Sequence, residues 1–314
     1  MLCVCASHSP LMLVGMADSA PGRQQRFFAS LLARHAQIEA YHPELVVVFG
    51  PDHFNGLFYD LMPSFCIATA AESTRDWGIE QAALNVPREV ARGAIEALRA
   101  AEIDVALSHR MRVDHGVTIP LIKLTGSLGG YPVLPIVINC AAAPRPAFAR
   151  VRRLGEVVGR YLAGLGKRVL VLGSGGLSHD PPTPRLASAP PQVAARLIDR
   201  HVPDDAELRQ REARVVAAAS ALVAGGGPCL PPSEAWDRAF LERLLNEGPA
   251  AFDGDTDAAL DREAGFGGHE VRCWVAAFAA MRAAGAVQAE LDYYEIVPEW
   301  ITGMGIVTAR HRTA

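Results

Sequence analysis

The sequence predicts an α/β fold: a central, mostly parallel sheet flanked by helices, with a helical C-terminal part. Three observations carry this. Short apolar, β-branched runs recur at residues 2–6, 45–49, 65–68, 103–107, 133–138 and 169–172, and stretches rich in Ala, Leu, Arg and Glu fill 23–40, 87–101 and 146–165. Strands alternating with helices of that length build a sheet covered on both faces. From 190 to 286 the composition turns Ala-rich and helical, and 293–297 and 305–308 then read as returning strands.

In chain order, LCVCA at 2–6 opens the sheet and stops at the polar turn SHSP. The helical stretch 23–40 leads to LVVVF at 45–49, which lacks any polar alternation, as a strand buried on both faces should. That strand closes on GPDHFNG. The strands 65–68 and 103–107 flank the helix 87–101, and 133–138 leads into the helix 146–165. The strand 169–172 runs into GSGGLSHDPP. A Pro-, Ala- and Ser-rich loop at 181–191 is too short to divide domains. With no long linker, charge block or repeat, residues 1–314 read as a single catalytic domain.

Composition narrows the function. The 314 residues carry 30 basic and 34 acidic side chains, a net charge of −4, with no basic stripe of the kind nucleic-acid binding needs. Half the residues are hydrophobic and a fifth charged, which suits a globular chain. No apolar run reaches the ~18 residues of a membrane span. The N-terminus has neither a basic n-region nor a long apolar h-region. A soluble, cytoplasmic protein is expected. The cysteines at 3, 5, 66, 140, 229 and 273 form no Cys-x-x-Cys pair, so neither a disulfide framework nor a Cys-rich zinc site is expected.

Histidine is where chemistry concentrates. His8, His53 and His179 each follow a predicted strand, where open α/β sheets bind ligands. His115 lies in VDHG ahead of an apolar segment, and His269 opens a helix. His35, His42, His109, His201 and His311 lie in helical, polar or terminal contexts and are expected to be solvated. Glu270, Trp274 and Phe278 share one helical face, which turns Glu270 inward. A carboxylate buried there is costly without a partner. Two imidazoles and one carboxylate with open positions form the ligand set of non-heme Fe(II) oxygenases, and His8, His53 and Glu270 can supply it. His115 and His179 remain as acid–base residues, with Asp114 placed to tune or orient the site. GSGG at 173–176 lacks the Lys-Ser/Thr of a phosphate loop, and no Gly-x-Ser-x-Gly elbow surrounds Ser174 or Ser178.

These segments resemble the class III extradiol ring-cleavage dioxygenases. The matching stretches are SHSP at 7–10, PELVVVFGPDHFNG at 43–56, VDHG at 113–116, LGSGGLSH at 172–179, HE at 269–270 with WVAAF at 274–278, and PEWITG at 298–303. They span nearly the whole chain in order. Within that family the resemblance is strongest to the branch acting on 2,3-dihydroxyphenylpropionate and 2,3-dihydroxycinnamate. The resemblance implies an Fe(II) enzyme that opens a catechol ring beside its hydroxyls with O2, in a homo-oligomer. It assigns His8, His53 and Glu270 to the metal, with His269 as the alternative third ligand. His115 becomes proton donor and His179 proton acceptor. Arg75, Arg110, Arg112 and Lys123 are the cations considered for a side-chain carboxylate. A zinc-dependent hydrolase with the same ligands, or a non-catalytic metal-binding protein of the same fold, are the alternatives.

Overall fold

The computed structural model describes residues 1–311. Its strands are β1 (Leu2–Ala6), β2 (Leu45–Gly50), β3 (Phe65–Ala68), β4 (Ala71–Ser73), β5 (Ala83–Leu84), β6 (Ala106–Ser108), β7 (Met111–Val113), β8 (Val133–Ile138), β9 (Val169–Ser174), β10 (Val287–Val297) and β11 (Thr302–His311). Its helices are α1 (Arg23–Tyr41), α2 (Arg88–Ala100), α3 (His115–Thr125), α4 (Phe148–Ala163), α5 (Pro191–Ile198), α6 (Asp205–Val223), α7 (Glu234–Glu242), α8 (Asp257–Glu263) and α9 (Val271–Ala284).

The eight-stranded central sheet has the order β10-β11-β1-β9-β2-β8-β3-β6. Its middle is parallel: β9 pairs with both β1 and β2, and β2 with β8. Antiparallel β11 and β10 extend one side, and β3 joins β8 antiparallel on the other. β1, β2, β8 and β9 are buried at every position, because helices cover both faces. Alternate residues feed two cores. Cys3, Val47, Ile136 and Val171 pack with α4 and α9. Val4, Val48, Val137 and Leu172 pack with α1 and α3 on the opposite face. α9 is buried throughout Val271 to Met281. Each large apolar side chain there contributes roughly 1.5–3 kcal/mol.

The expected fold class is what the chain adopts, with three differences in detail. The strand expected at 103–107 lies at Ala106–Ser108, because Ile103 and Val105 pack into the core on the approach while only the later residues pair with β3. The helical region at 190–286 is as expected, built as five α-helices joined by loops and short 3-10 or π turns. The late strands are longer than expected, because β10 and β11 pair along their length although the first half of β10 is largely exposed and polar. A small second sheet, β5-β4-β7, was not anticipated. No helix among the described residues is long and apolar enough to cross a membrane. All six cysteines are free and buried. His42 and His109 are exposed, as expected. His35, His201 and His311 instead are half-buried: His35 Nδ1 meets Leu124 O, His201 Nε2 meets Glu207, and the His311 ring nitrogens engage the Met1 amine and the Met281 carbonyl.

Candidate active site

β1, β9 and β2 run parallel, so the segments that leave their carboxyl ends meet at one edge of the sheet. His8, His53 and His179 lie on those segments. His115 is the first residue of α3, and Glu270 immediately precedes α9. All five line a single cavity.

Glu270 sits at the centre. One carboxylate oxygen lies 2.9 Å from His53 Nε2 and 3.4 Å from His179 Nε2; the other accepts the Gly176 N–H at 2.9 Å and lies 3.8 Å from His8 Nε2. Burial works to raise the Glu270 carboxyl, but the His179, His8 and His53 rings overcome it and hold it well below the usual range. The far nitrogens are already taken: His8 Nδ1 bonds Ser174 Oγ at 3.0 Å, and His53 Nδ1 donates to Asp114 Oδ2 at 3.1 Å. Each ring therefore turns Nε2 toward the carboxylate. Burial pushes the His8 imidazole down to about 3, and the His115, His53 and His179 rings add to this against the pull of Glu270. Burial also works to lower His53, yet Asp114 on one side and Glu270 on the other carry it well above its ordinary value. Two imidazole nitrogens and a carboxylate, with their outer atoms anchored, are a donor set that fits a divalent cation.

Asp114 does not line the cavity. It is fully buried, and its carboxylate takes the His53 N–H, the His53 ring, the Asn55 amide and, as the N-cap of α3, the Gly116 N–H. Burial works to raise this carboxyl, and the His53 and His115 rings reverse the effect. Asp114 thus orients His53 rather than its neighbour His115. The partner of His115 is Asp76, whose carboxylate receives both the His115 backbone N–H at 3.2 Å and its Nδ1. Thr74 Oγ1 donates to the other Asp76 oxygen. The His115 ring stacks on His53 with centroids 4.2 Å apart. Ring nitrogens of His8, His53 and His115 lie within 4.8 Å of one another.

His179 is held by its backbone and by Nδ1, which donates to Leu177 O at 3.0 Å. Burial works to lower its pKa, and Glu270 more than compensates. Glycine is required on both sides of its ring. A Cβ at Gly176 would come within 2.5 Å of the ring, and one at Gly267 within 2.0 Å of Nε2. The glycines at 173–176 therefore admit the histidine and the Glu270 segment rather than a phosphate. Asp237 steadies the same loop by accepting the Ser178 N–H at 2.7 Å, with burial pushing its carboxyl up to about 6.

His269 faces away from the cavity. Its Nδ1 meets Arg272 Nη1 at 2.6 Å and its Nε2 meets Asp261 at 2.9 Å. Burial, then the Arg272 and Arg145 guanidiniums, push it down to about 2, so it is neutral and donates to Asp261 while accepting from Arg272. Fully buried Arg272 continues to Asp257 at 2.6 Å and to Pro146 O at 2.9 Å. This network anchors the turn that carries Glu270.

Backbone strain collects at the same place. Phe54, Trp77 and Ile301 all line the cavity in left-handed conformation, with φ of 57°, 56° and 59°. Such positions in non-glycine residues cost of order 1–3 kcal/mol and persist where surrounding structure enforces them. Phe54 follows His53 and Trp77 follows Asp76, so two of the strained residues flank groups that the site uses.

Sequence reasoning missed Asp76. It meets His115 because β4 pairs with β7 and Thr74 N–H continues the ladder to Val113 O at 2.8 Å. Strands of three residues leave no readable period in the sequence.

Residues 2–305 match the family model described as the catalytic LigB subunit of aromatic ring-opening dioxygenase. Curated relatives from several bacteria carry the name 2,3-dihydroxyphenylpropionate/2,3-dihydroxicinnamic acid 1,2-dioxygenase. The one from Paraburkholderia xenovorans is 49% identical over 98% of this chain and 96% of its own length. That from Cupriavidus pinatubonensis is 48% identical over 97% and 96%. That from Azotobacter vinelandii is 46% identical over 98% of both.

Proposed function

The chain belongs to the LigB family of aromatic ring-opening dioxygenases, and within it we propose an Fe(II) enzyme that opens 2,3-dihydroxyphenylpropionate or 2,3-dihydroxycinnamate beside the two hydroxyls with O2. It is a metal-dependent ring-cleavage oxidoreductase. The observation that carries the reading is the convergence of His8 Nε2, His53 Nε2 and the Glu270 carboxylate, each with its outer atom tied to the protein.

On this reading His8, His53 and Glu270 hold the metal, and Asp114 and Ser174 orient the two rings. Fe(II) held by these three groups would bind the catechol and O2 and would let ring electrons reach O2 without an external reductant. His179 receives the proton of a substrate hydroxyl at Nε2, since Nδ1–H is committed to Leu177 O. His115 delivers a proton to the opening ring from Nε2, with Asp76 holding Nδ1. Strained Phe54 and Ile301 and apolar Leu11 and Leu197 keep water from that face. The same reading takes the protein as a homo-oligomer, as the family resemblance implies, and as cytoplasmic, as the composition suggests.

Metal uptake then depends on pH with a defined sign. Near neutrality the metal-free site pairs ionised Glu270 with a His53 whose pKa is raised well above 6.5. A cation must displace that proton, so affinity rises with pH through neutrality and falls below it. Calorimetric titration with Zn(II) in buffers of different ionisation enthalpy should detect release of about one proton per ion near pH 7. Binding without proton release, at equal affinity from pH 6 to 8, would contradict the His53 assignment.

Metal exchange tests the reaction. Apoprotein loaded anaerobically with Fe(II) should consume O2 and form a yellow ring-opened product from 2,3-dihydroxyphenylpropionate, and the Zn(II) form should not. Turnover by the zinc form alone would replace the dioxygenase reading with a zinc-dependent hydrolase.

A further inference from the structure

The cations considered from sequence for a substrate carboxylate do not reach the cavity of the histidine cluster. Arg75 pairs with exposed Asp205 at 2.7 Å, and with Arg112 it lines a smaller neighbouring cavity. Arg110 is exposed, and Lys123 lies over the Phe28 ring. A different set of cations lines the active cavity: Arg196 from α5, and Arg211 and Arg214 from α6.

Leu208, Arg211, Glu212 and Val215 follow the i, i+3, i+4, i+7 spacing of one helical face, and all four line the cavity. The charges on and around that face differ in how they are engaged. Glu212 accepts the Trp77 N–H at 2.7 Å. Arg196 pairs with Glu207 at 3.2 Å, and Glu207 also takes His201 at 2.7 Å. Arg214 is exposed. Arg211 is half-buried, and among the described residues its guanidinium makes no hydrogen bond or ion pair. Burial lowers its pKa, Glu207 opposes that, and Arg196 and Arg214 add to the lowering. A half-buried guanidinium without an internal carboxylate partner suits an anionic ligand, and a planar carboxylate matches it in bidentate fashion.

We propose that Arg211 anchors the carboxylate of the substrate's side chain, making the enzyme selective for catechols that bear a short acidic chain. This rests on the ring-cleavage reading above. The aromatic ring takes the end of the cavity lined by His8, His53, His179 and Glu270. The acidic chain points to α6, between Leu208 and Val215. Arg211 is a specificity residue that acts in substrate binding rather than in proton transfer.

The test compares two substrates that differ only in the acid group, 2,3-dihydroxyphenylpropionate and 3-propylcatechol, on the Fe(II)-loaded protein. The unaltered enzyme should prefer the acid. Arg211→Met should lower the ratio of the two kcat/KM values by at least ~10-fold, chiefly through KM for the acid, as expected when a charge-assisted hydrogen bond is lost. Arg211→Lys should restore part of the ratio. A ratio unchanged in Arg211→Met, or an unaltered enzyme that treats both substrates alike, overturns the assignment while ring cleavage stands. An unaltered, iron-loaded enzyme that cleaves neither catechol overturns the ring-cleavage reading and this proposal with it.

Discussion

Glu270→Ala, His8→Ala and His53→Ala, each reloaded anaerobically with Fe(II) and freed of excess metal, are expected to retain less than about a tenth of the iron bound by the unaltered chain and to show no measurable ring cleavage. The loss should be largest for Glu270, the only carboxylate among the three groups and the one that lies near His53, His179 and His8 together. Outer-shell partners of metal ligands typically cost 10–100-fold in affinity when removed, and a ligand itself costs more. Asp114→Asn should therefore fall between these variants and the unaltered chain, since it leaves His53 in place but loosens its ring. Iron content by elemental analysis gives the result. Full iron in Glu270→Ala would shift the metal to the His8, His53 and His115 rings, whose nitrogens also lie close together.

His115→Ala and His179→Ala should behave in the opposite way: iron retained, turnover down at least ~100-fold, the low end for acid–base catalysis. The two can be told apart. His179 takes the substrate proton only while neutral, so His179→Ala removes a titrating group from the acid limb of the pH–rate profile. His115 stands on Asp76, and its loss should slow ring opening more than substrate binding, lowering kcat with little change in KM. Loss of iron from either variant would mean that the ligand and acid–base roles are exchanged. A far-ultraviolet circular dichroism spectrum matching that of the unaltered chain separates lost chemistry from lost fold.

What could be read from sequence follows from how local each signal is. The parallel core was legible because β1, β2, β8 and β9 are continuous apolar runs, which only strands covered on both faces need. His8, His53 and His179 were legible because each closes such a run. Glu270 was legible from the apolar helical face that Trp274 and Phe278 continue. Three features were not. Asp76 joins His115 through three-residue strands too short to show a period. Arg211 faces the cavity only because α6 packs across it, and nothing in an Ala- and Arg-rich helix marks one arginine from another. The partner of Asp114 lies 61 residues away in sequence, at His53, whereas adjacency suggested His115. In each case tertiary pairing made the choice.

The most direct test is isotopic. Fe(II)-loaded protein is given 2,3-dihydroxyphenylpropionate under heavy-oxygen gas, and the product is examined promptly by mass spectrometry. The account predicts a ring-opened product with one heavy atom in its newly formed carboxylate and a second in its new carbonyl, the latter exchanging slowly with water. A product carrying oxygen only from water, or an intact ring despite bound iron, would contradict it.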